Sequence, residues 1–289
     1  MLPNYSHLLG GVCGGLTSTI LCHPMEFLRV RFAANEGNLA RPQYNSYWHA
    51  YRAIFKVEGI RGFYQGLSPN LIAAPVSRGL YFHIYHRIRP RFVSDSDPKK
   101  QSFLFNFVNG FAAGFIVLVA TNPLWVTKTR LCLQYETSTK QYNGMIDCLQ
   151  KMYKADGIRG WYKGFTPGLF GHVTASLQFA FYNLLKDWRC ASRGLSLDHQ
   201  LATTDYLLFS SLSKITAVLF TYPYQVVRTR LQDQNAAYKN LRDCVIQTWH
   251  REGLRGMYKG SLIAALKQTP SSVIGFAVYE RSRRLIEKL

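Results

Sequence analysis

Pro24-Met25-Glu26-Phe27-Leu28-Arg29-Val30-Arg31 returns as Pro123-Leu124-Trp125-Val126-Thr127-Lys128-Thr129-Arg130, and again as Pro223-Tyr224-Gln225-Val226-Val227-Arg228-Thr229-Arg230. The three prolines stand 99 and 100 residues apart. Each copy has a third position that is Glu, Trp or Gln, and bases at its sixth and eighth places. Positions three and six are i,i+3 neighbours and share one helix face. A proline inside a helix removes a hydrogen bond and kinks it. Three converging kinked helices therefore bring these polar groups to one level.

A second motif follows each copy: Glu58-Gly59-Ile60-Arg61-Gly62-Phe63-Tyr64-Gln65-Gly66, Asp156-Gly157-Ile158-Arg159-Gly160-Trp161-Tyr162-Lys163-Gly164 and Glu252-Gly253-Leu254-Arg255-Gly256-Met257-Tyr258-Lys259-Gly260. Two motifs recurring in one order at one period divide the chain into repeats of about 100 residues. Their limits are read as 1–94, 101–191 and 201–288.

Over essentially its whole length the chain resembles the mitochondrial carrier family. The resemblance implies an all-α membrane fold: six transmembrane helices in three pseudo-threefold repeats around a central cavity, with three short surface helices. Within the family, Pro123-Leu124-Trp125-Val126 and Tyr222-Pro223-Tyr224-Gln225-Val226-Val227-Arg228 are most similar to the folate/FAD carriers.

Composition fits such a bundle. No run reaches the ~18 uninterrupted apolar residues of a simple span, and mean hydropathy is −0.09. Cavity-facing polar residues in a bundle explain both. The net charge of +19 points to an anionic partner. Because the bases recur at matching repeat positions rather than in a block, a basic nucleic-acid-binding helical repeat is the lesser reading; it predicts solubility without detergent and steep salt dependence. The six cysteines show no metal or disulfide spacing. No GxSxG, HExxH, P-loop or dinucleotide fingerprint occurs, so no catalytic residue, metal or enzymatic cofactor is expected. No cleavable presequence precedes the first repeat. Lys and Arg number 14 in the loops within repeats and 12 on the opposite side, which leaves orientation open.

The expected spans are 6–32, 69–91, 103–133, 167–189, 204–232 and 261–286, with surface helices near 47–56, 145–153 and 241–250. Gly10, Gly11, Gly14 and Gly15 form two overlapping GxxxG pairs that permit close helix approach in lipid.

The resemblance implies a matrix-side gate at the kinks formed by Pro24, Pro123 and Pro223. Around that ring Glu26 pairs with Lys128, Arg228 meets Trp125 in a cation–π contact of about 0.5–2 kcal/mol, and Arg29 hydrogen-bonds to Gln225. Packing alone is the alternative for Trp125. Gln232 matches the family's bracing glutamine, whereas Ala33 and Cys132 at the equivalent places do not. The opposite, cytoplasmic gate falls on Tyr85-His86…Arg89, Tyr182-Asn183…Lys186 and Tyr279-Glu280…Arg283, where only helix 6 keeps an acid. Central contacts carried over from the family are Ala73, Gly171 with His172 beside it, and Lys267. Lys267 would hold an anion, Ala73 and Gly171 would leave room for a flat ring, and His172 is placed to bond or stack on it. Arg78 and Lys214 are two further bases within spans, Lys214 standing where the other repeats have Gly15 and Gly114. Family positions for cardiolipin fall on Gly164 and Gly260. The expected function is alternating-access transport of folate or FAD across the mitochondrial inner membrane, by a monomer with internal targeting and no nucleic-acid partner. Pyrimidine nucleotide or NAD is the alternative substrate.

Overall fold

The computed structural model describes residues 3–36, 42, 44, 46–92, 103–134, 141–192, 203–235 and 238–286. The chain is all-α among these residues. Three long kinked helices start the repeats: α1 (Pro3–Ala34), α4 (Phe103–Leu133) and α9 (Thr203–Gln232), each holding its motif proline inside. Surface helices α2 (Tyr47–Gly62), α5 (Met145–Asp156) with the single turn α6 (Ile158–Trp161), and α10 (Leu241–Met257) follow. Returning helices are α3 (Leu67–Phe92), α7 (Phe165–Leu169) with α8 (Gly171–Ser192), and α11 (Ser261–Ile286). The spans expected at 103–133 and 261–286 match α4 and α11 residue for residue.

Local chemistry sets the boundaries. Ser46 caps α2 by accepting from the His49 amide at 3.1 Å, and Asn240 caps α10 through the Asp243 amide at 2.9 Å. Helices α2 and α10 run on past the expected ends, but only by turning at Gly59 and Gly253, whose φ values of 64° and 61° favour glycine. The fourth span is broken rather than continuous. Around Phe170, between Gly168 and Gly171, the chain tightens into i,i+3 bonds, Phe170 to the Pro167 carbonyl and Val173 to the Phe170 carbonyl, both 3.1 Å.

Only Val108–Leu133, among the described residues, is long and apolar enough to cross a membrane by itself. The buried apolar clusters gather at the kinked end. Phe27, Val30, Ile54 and Phe63 join α1 to α2, and Val126, Leu131, Cys148 and Met152 join α4 to α5. Large apolar side chains elsewhere, such as Phe179, Leu212 and Phe220, are exposed, as a lipid-facing surface requires. The four glycines of α1 divide into two faces. A Cβ at Gly14 would stand 2.5 Å from the Gly275 carbonyl oxygen and one at Gly10 3.1 Å from that of Tyr279, so this pair seats α1 against α11. Gly11 faces open space instead.

Candidate functional site

The kinks are built by contacts between the two motifs. Pro123 leaves the Val119 carbonyl without its helical donor, and the Tyr162 hydroxyl donates to that oxygen at 3.1 Å. The residue before each proline bonds a carbonyl of its repeat's second motif: His23 Nε2 with Gln65 at 3.0 Å, Asn122 Nδ2 with Trp161 at 2.7 Å, and the Tyr222 hydroxyl with Lys259 at 3.1 Å. Histidine, asparagine and tyrosine share no sequence pattern, yet each supplies a donor at the same place.

The eighth-position arginines tie each repeat to the next. Arg31 Nε donates to the Cys132 carbonyl at 3.1 Å, Arg130 Nε to that of Gln232 at 3.2 Å, and Arg230 Nε to that of Ala33 at 3.0 Å. These acceptors are the ninth residues after the respective prolines, at the C-terminal ends of the kinked helices, where carbonyls lack helical donors. The same arginines pair with the acids that open the second motifs, Glu58, Asp156 and Glu252. Hydrogen bonding from Lys163, assisted by Arg130, holds the Asp156 carboxyl below its ordinary range. The closing glycines run in the same cyclic sense. A Cβ on Gly66, Gly164 or Gly260 would stand 2.8, 3.1 or 3.0 Å from the carbonyl oxygens of Lys128, Arg228 and Arg29. Their φ values of 78°, 72° and 86° exclude most other residues as well.

Inside this ring all seven residues read as the matrix gate, Glu26, Arg29, Trp125, Lys128, Gln225, Arg228 and Gln232, line one cavity of about 190 Å³. Its bonding differs from the expected ring. Glu26 is buried and takes three cations: Lys128 at 2.6 Å, Arg29 at 2.7 Å and Lys267 at 2.7 Å. Arg29 also donates to Gln225 Oε1 at 3.1 Å, as expected. The cation over Trp125 is Lys128, 5.6 Å from the ring centroid, rather than Arg228. Arg228 reaches Asn122 Oδ1 at 3.5 Å instead. Glu26 is the only acid among the third-position residues, so neighbouring ammonium and guanidinium groups converge on it. Gln232 accepts from the Thr129 hydroxyl at 2.7 Å.

Lys267 thus sits on Glu26, the acid expected in the gate. Ala73 is fully buried, and the space beside Gly171 is occupied by Tyr224, whose hydroxyl would lie 3.4 Å from an added Cβ. The side chains of His172 and Arg89 lie outside the described residues. Arg78 and Lys214, separated by 136 positions in sequence, line one cavity of about 410 Å³ with Ser18, Ser271 and Ser272. Neither has a carboxylate partner among the described residues.

At the other end the even-helix motifs are looser. Glu280 pairs with Arg284 one turn along α11. His86 and Asn183 are exposed, and Lys186 is partly so. Next to Gly164, a cavity of about 310 Å³ is lined by Tyr162, Lys163, Thr166, Tyr238, Lys239 and Asn240.

Comparison with known proteins agrees with this threefold design. The family profile described as mitochondrial carrier protein matches residues 1–96, 99–192 and 199–289. "Folate transporter 1, chloroplastic" of Arabidopsis thaliana is 35% identical over 98% of this chain and 96% of its own length. "Nicotinamide adenine dinucleotide transporter 1, chloroplastic" of the same plant is 32% identical over 98% and 94%. "Solute carrier family 25 member 36" of Mus musculus is 29% identical over 95% of each chain.

Proposed function

This chain belongs to the mitochondrial carrier family, and from that premise we propose that it moves a dinucleotide-type anion, a flat ring system carrying a pyrophosphate, by alternating access about the cavity of Arg78 and Lys214. Family membership makes it a transporter of a small anionic metabolite in the mitochondrial inner membrane and not an enzyme. The observation that carries the substrate class is the excess of cations. Arg78 and Lys214 line one cavity without a carboxylate, while the single acid Glu26 already serves three bases. Unpaired cations inside a membrane mark a substrate path. An arginine fork and a lysine point charge suit the two charges of a pyrophosphate, which FAD and NAD both carry. The nicotinamide dinucleotide transporter at 32% identity supports this class. Folate is the second reading, favoured by the folate transporter at 35% identity; its two carboxylates would meet the same cations.

Transport follows from competition for Lys267. An anion entering from the even-helix end draws Lys267 off Glu26 and removes the bond that ties α1 to α11 at the ring, which leaves Lys128 of α4 as the cation joining Glu26 to another long helix. The weakened ring opens and the even helices close behind the substrate, His86, Arg89, Asn183, Lys186, Glu280 and Arg283 forming the second gate. Cardiolipin phosphate at Gly164 and Gly260 is part of the same proposal, supported at Gly164 by the adjacent cavity with its two lysines. A monomer is part of the same proposal.

The test is the melting temperature of the detergent-solubilised protein with FAD, NAD, tetrahydrofolate or UTP, followed by uptake into proteoliposomes. A ligand that binds only the folded state raises the melting temperature. A shift with FAD or NAD, lost in Lys214→Ala and Arg78→Ala, is expected. A shift with tetrahydrofolate alone selects the second reading, and one with UTP alone overturns both.

A further inference from the structure

The cation cavity opens into an apolar slot that the anion does not fill. Between α1 and α3 lies a second cavity of about 370 Å³, lined by Val12, Leu16, Leu71, Ala74, Pro75 and Phe82. It shares Gly11, Gly15, Thr19 and Arg78 with the cavity of Lys214. The two adjoin along these residues as neighbouring lobes, with Arg78 at their junction. Helices α1 and α3 run antiparallel here, so the slot extends from His7 and Phe82 at one end to Thr19 and Asn70 at the other.

Glycine keeps the slot open. A Cβ at Gly11 or Gly79, on its two walls, would meet nothing within 4 Å, and one at Gly15 would meet only the Arg78 guanidinium at 3.7 Å. Elsewhere on α1 the glycines Gly10 and Gly14 admit a neighbouring helix; Gly11 and Gly79 admit none. Glycine costs a helix about 1 kcal/mol relative to alanine, and at these two positions no packing contact offsets that cost. At the position expected for the ring, Ala73 is fully buried and the Tyr224 hydroxyl lies 3.4 Å from a Cβ added at Gly171.

We infer that the slot between α1 and α3 is the subsite for the substrate's flat ring, with Arg78 gripping the anion where the lobes meet and Gly11 and Gly79 setting the ring size admitted. Apolar walls with a few polar groups at the ends are what an aromatic ring system requires. Asn70, at the inner end, faces the edge where a ring's heteroatoms would lie. The inference rests on the proposed transport of a ring-bearing anion, and it places the ring off the threefold axis, in the wall of repeat 1.

The experiment compares FAD with inorganic pyrophosphate, the charged part of the ligand without its rings, by titration calorimetry of the detergent-solubilised protein. Gly79→Leu and Gly11→Leu project into the slot from opposite walls, at positions where an added Cβ meets nothing within 4 Å, and leucine is the better helix former. In both variants FAD should bind about ten- to a hundredfold more weakly, the usual penalty of overpacking a filled site, while pyrophosphate binds as in the wild type. Ile72→Leu, exposed on α3 and outside both lobes, should change neither. Unchanged FAD affinity in both slot variants would overturn the inference and leave the slot to lipid chains. Equal loss of FAD and pyrophosphate would overturn it too, because the slot would then act only through Arg78. Failure of the wild type to bind any ring-bearing anion is a different result, and it sinks the transport proposal itself.

Discussion

The two ends of the bundle carry the same kind of motif and treat it differently. At the kinked end every repeat reaches the next through an arginine fork to a helix-terminal carbonyl and a glycine pressed against the carbonyl of a sixth-position residue. At the even-helix end Glu280 bonds within its own helix, and His86 and Asn183 are exposed. A closed ring of bonds between repeats with a cavity above it is what the proposed alternating-access cycle requires of one of its states. The contrast also shows in the bonding: closure is held by buried, charge-assisted hydrogen bonds, whereas the other end joins its helices through His7 with Tyr279 and Arg189 with Asp205.

Glu26→Gln should break the comparison most severely. It strips Lys128, Arg29 and Lys267 of their common anion, and uncompensated buried charge costs about 3–5 kcal/mol. A large fall in melting temperature with loss of transport is expected; an unchanged melting temperature would mean that the three cations find other partners. Next comes Arg230→Lys, which keeps the charge but loses the fork to Ala33, Thr248 and Glu252. Charged hydrogen bonds contribute about 1.5–3 kcal/mol, so stability should drop by that order in denaturant titration of the solubilised protein.

Trp125→Ala removes the ring beneath Lys128 and about 0.5–2 kcal/mol of attraction. Faster opening, read as a higher transport rate per folded molecule, is expected. Lower stability with an unchanged rate would reduce Trp125 to packing. The Asp156 carboxyl is held below its ordinary range in the folded protein, chiefly by Lys163. Its stabilisation is therefore full at neutral pH and lost as pH falls through the depressed folded value. Melting temperatures of wild type and Asp156→Asn should differ at pH 7 and converge on acidification. Smallest of all, Glu280→Gln disrupts a solvent-exposed pair, about 0–1 kcal/mol; a large destabilisation would mean the even-helix network is already engaged and the two ends are alike.

Much of this was legible before any coordinates, because repetition and proline are covalent facts of the chain. The period gave three units, the prolines gave the long helices that carry them, and the third and sixth positions gave six of the seven residues that line one cavity, with Gln232, nine places after Pro223, as the seventh. The pre-proline donors were invisible because His23, Asn122 and Tyr222 share a function without sharing an identity. The eighth-position arginines stood in plain view, but their acceptors are backbone carbonyls of another repeat, which no side-chain pattern marks.

Sequence by itself determined the threefold helical plan, the polarity of the ring beside the three prolines and the surplus of cations, since these depend on residue order and charge alone. Tertiary structure decided the pairing. Glu26 collects three bases because it is the one acid within reach of all of them. Arg78 and Lys214 became one site only when α3 and α9 faced the same cavity. Identical-looking glycines one residue apart on α1 took different roles because successive helix positions point about 100° apart, one pair toward α11 and the other toward the slot.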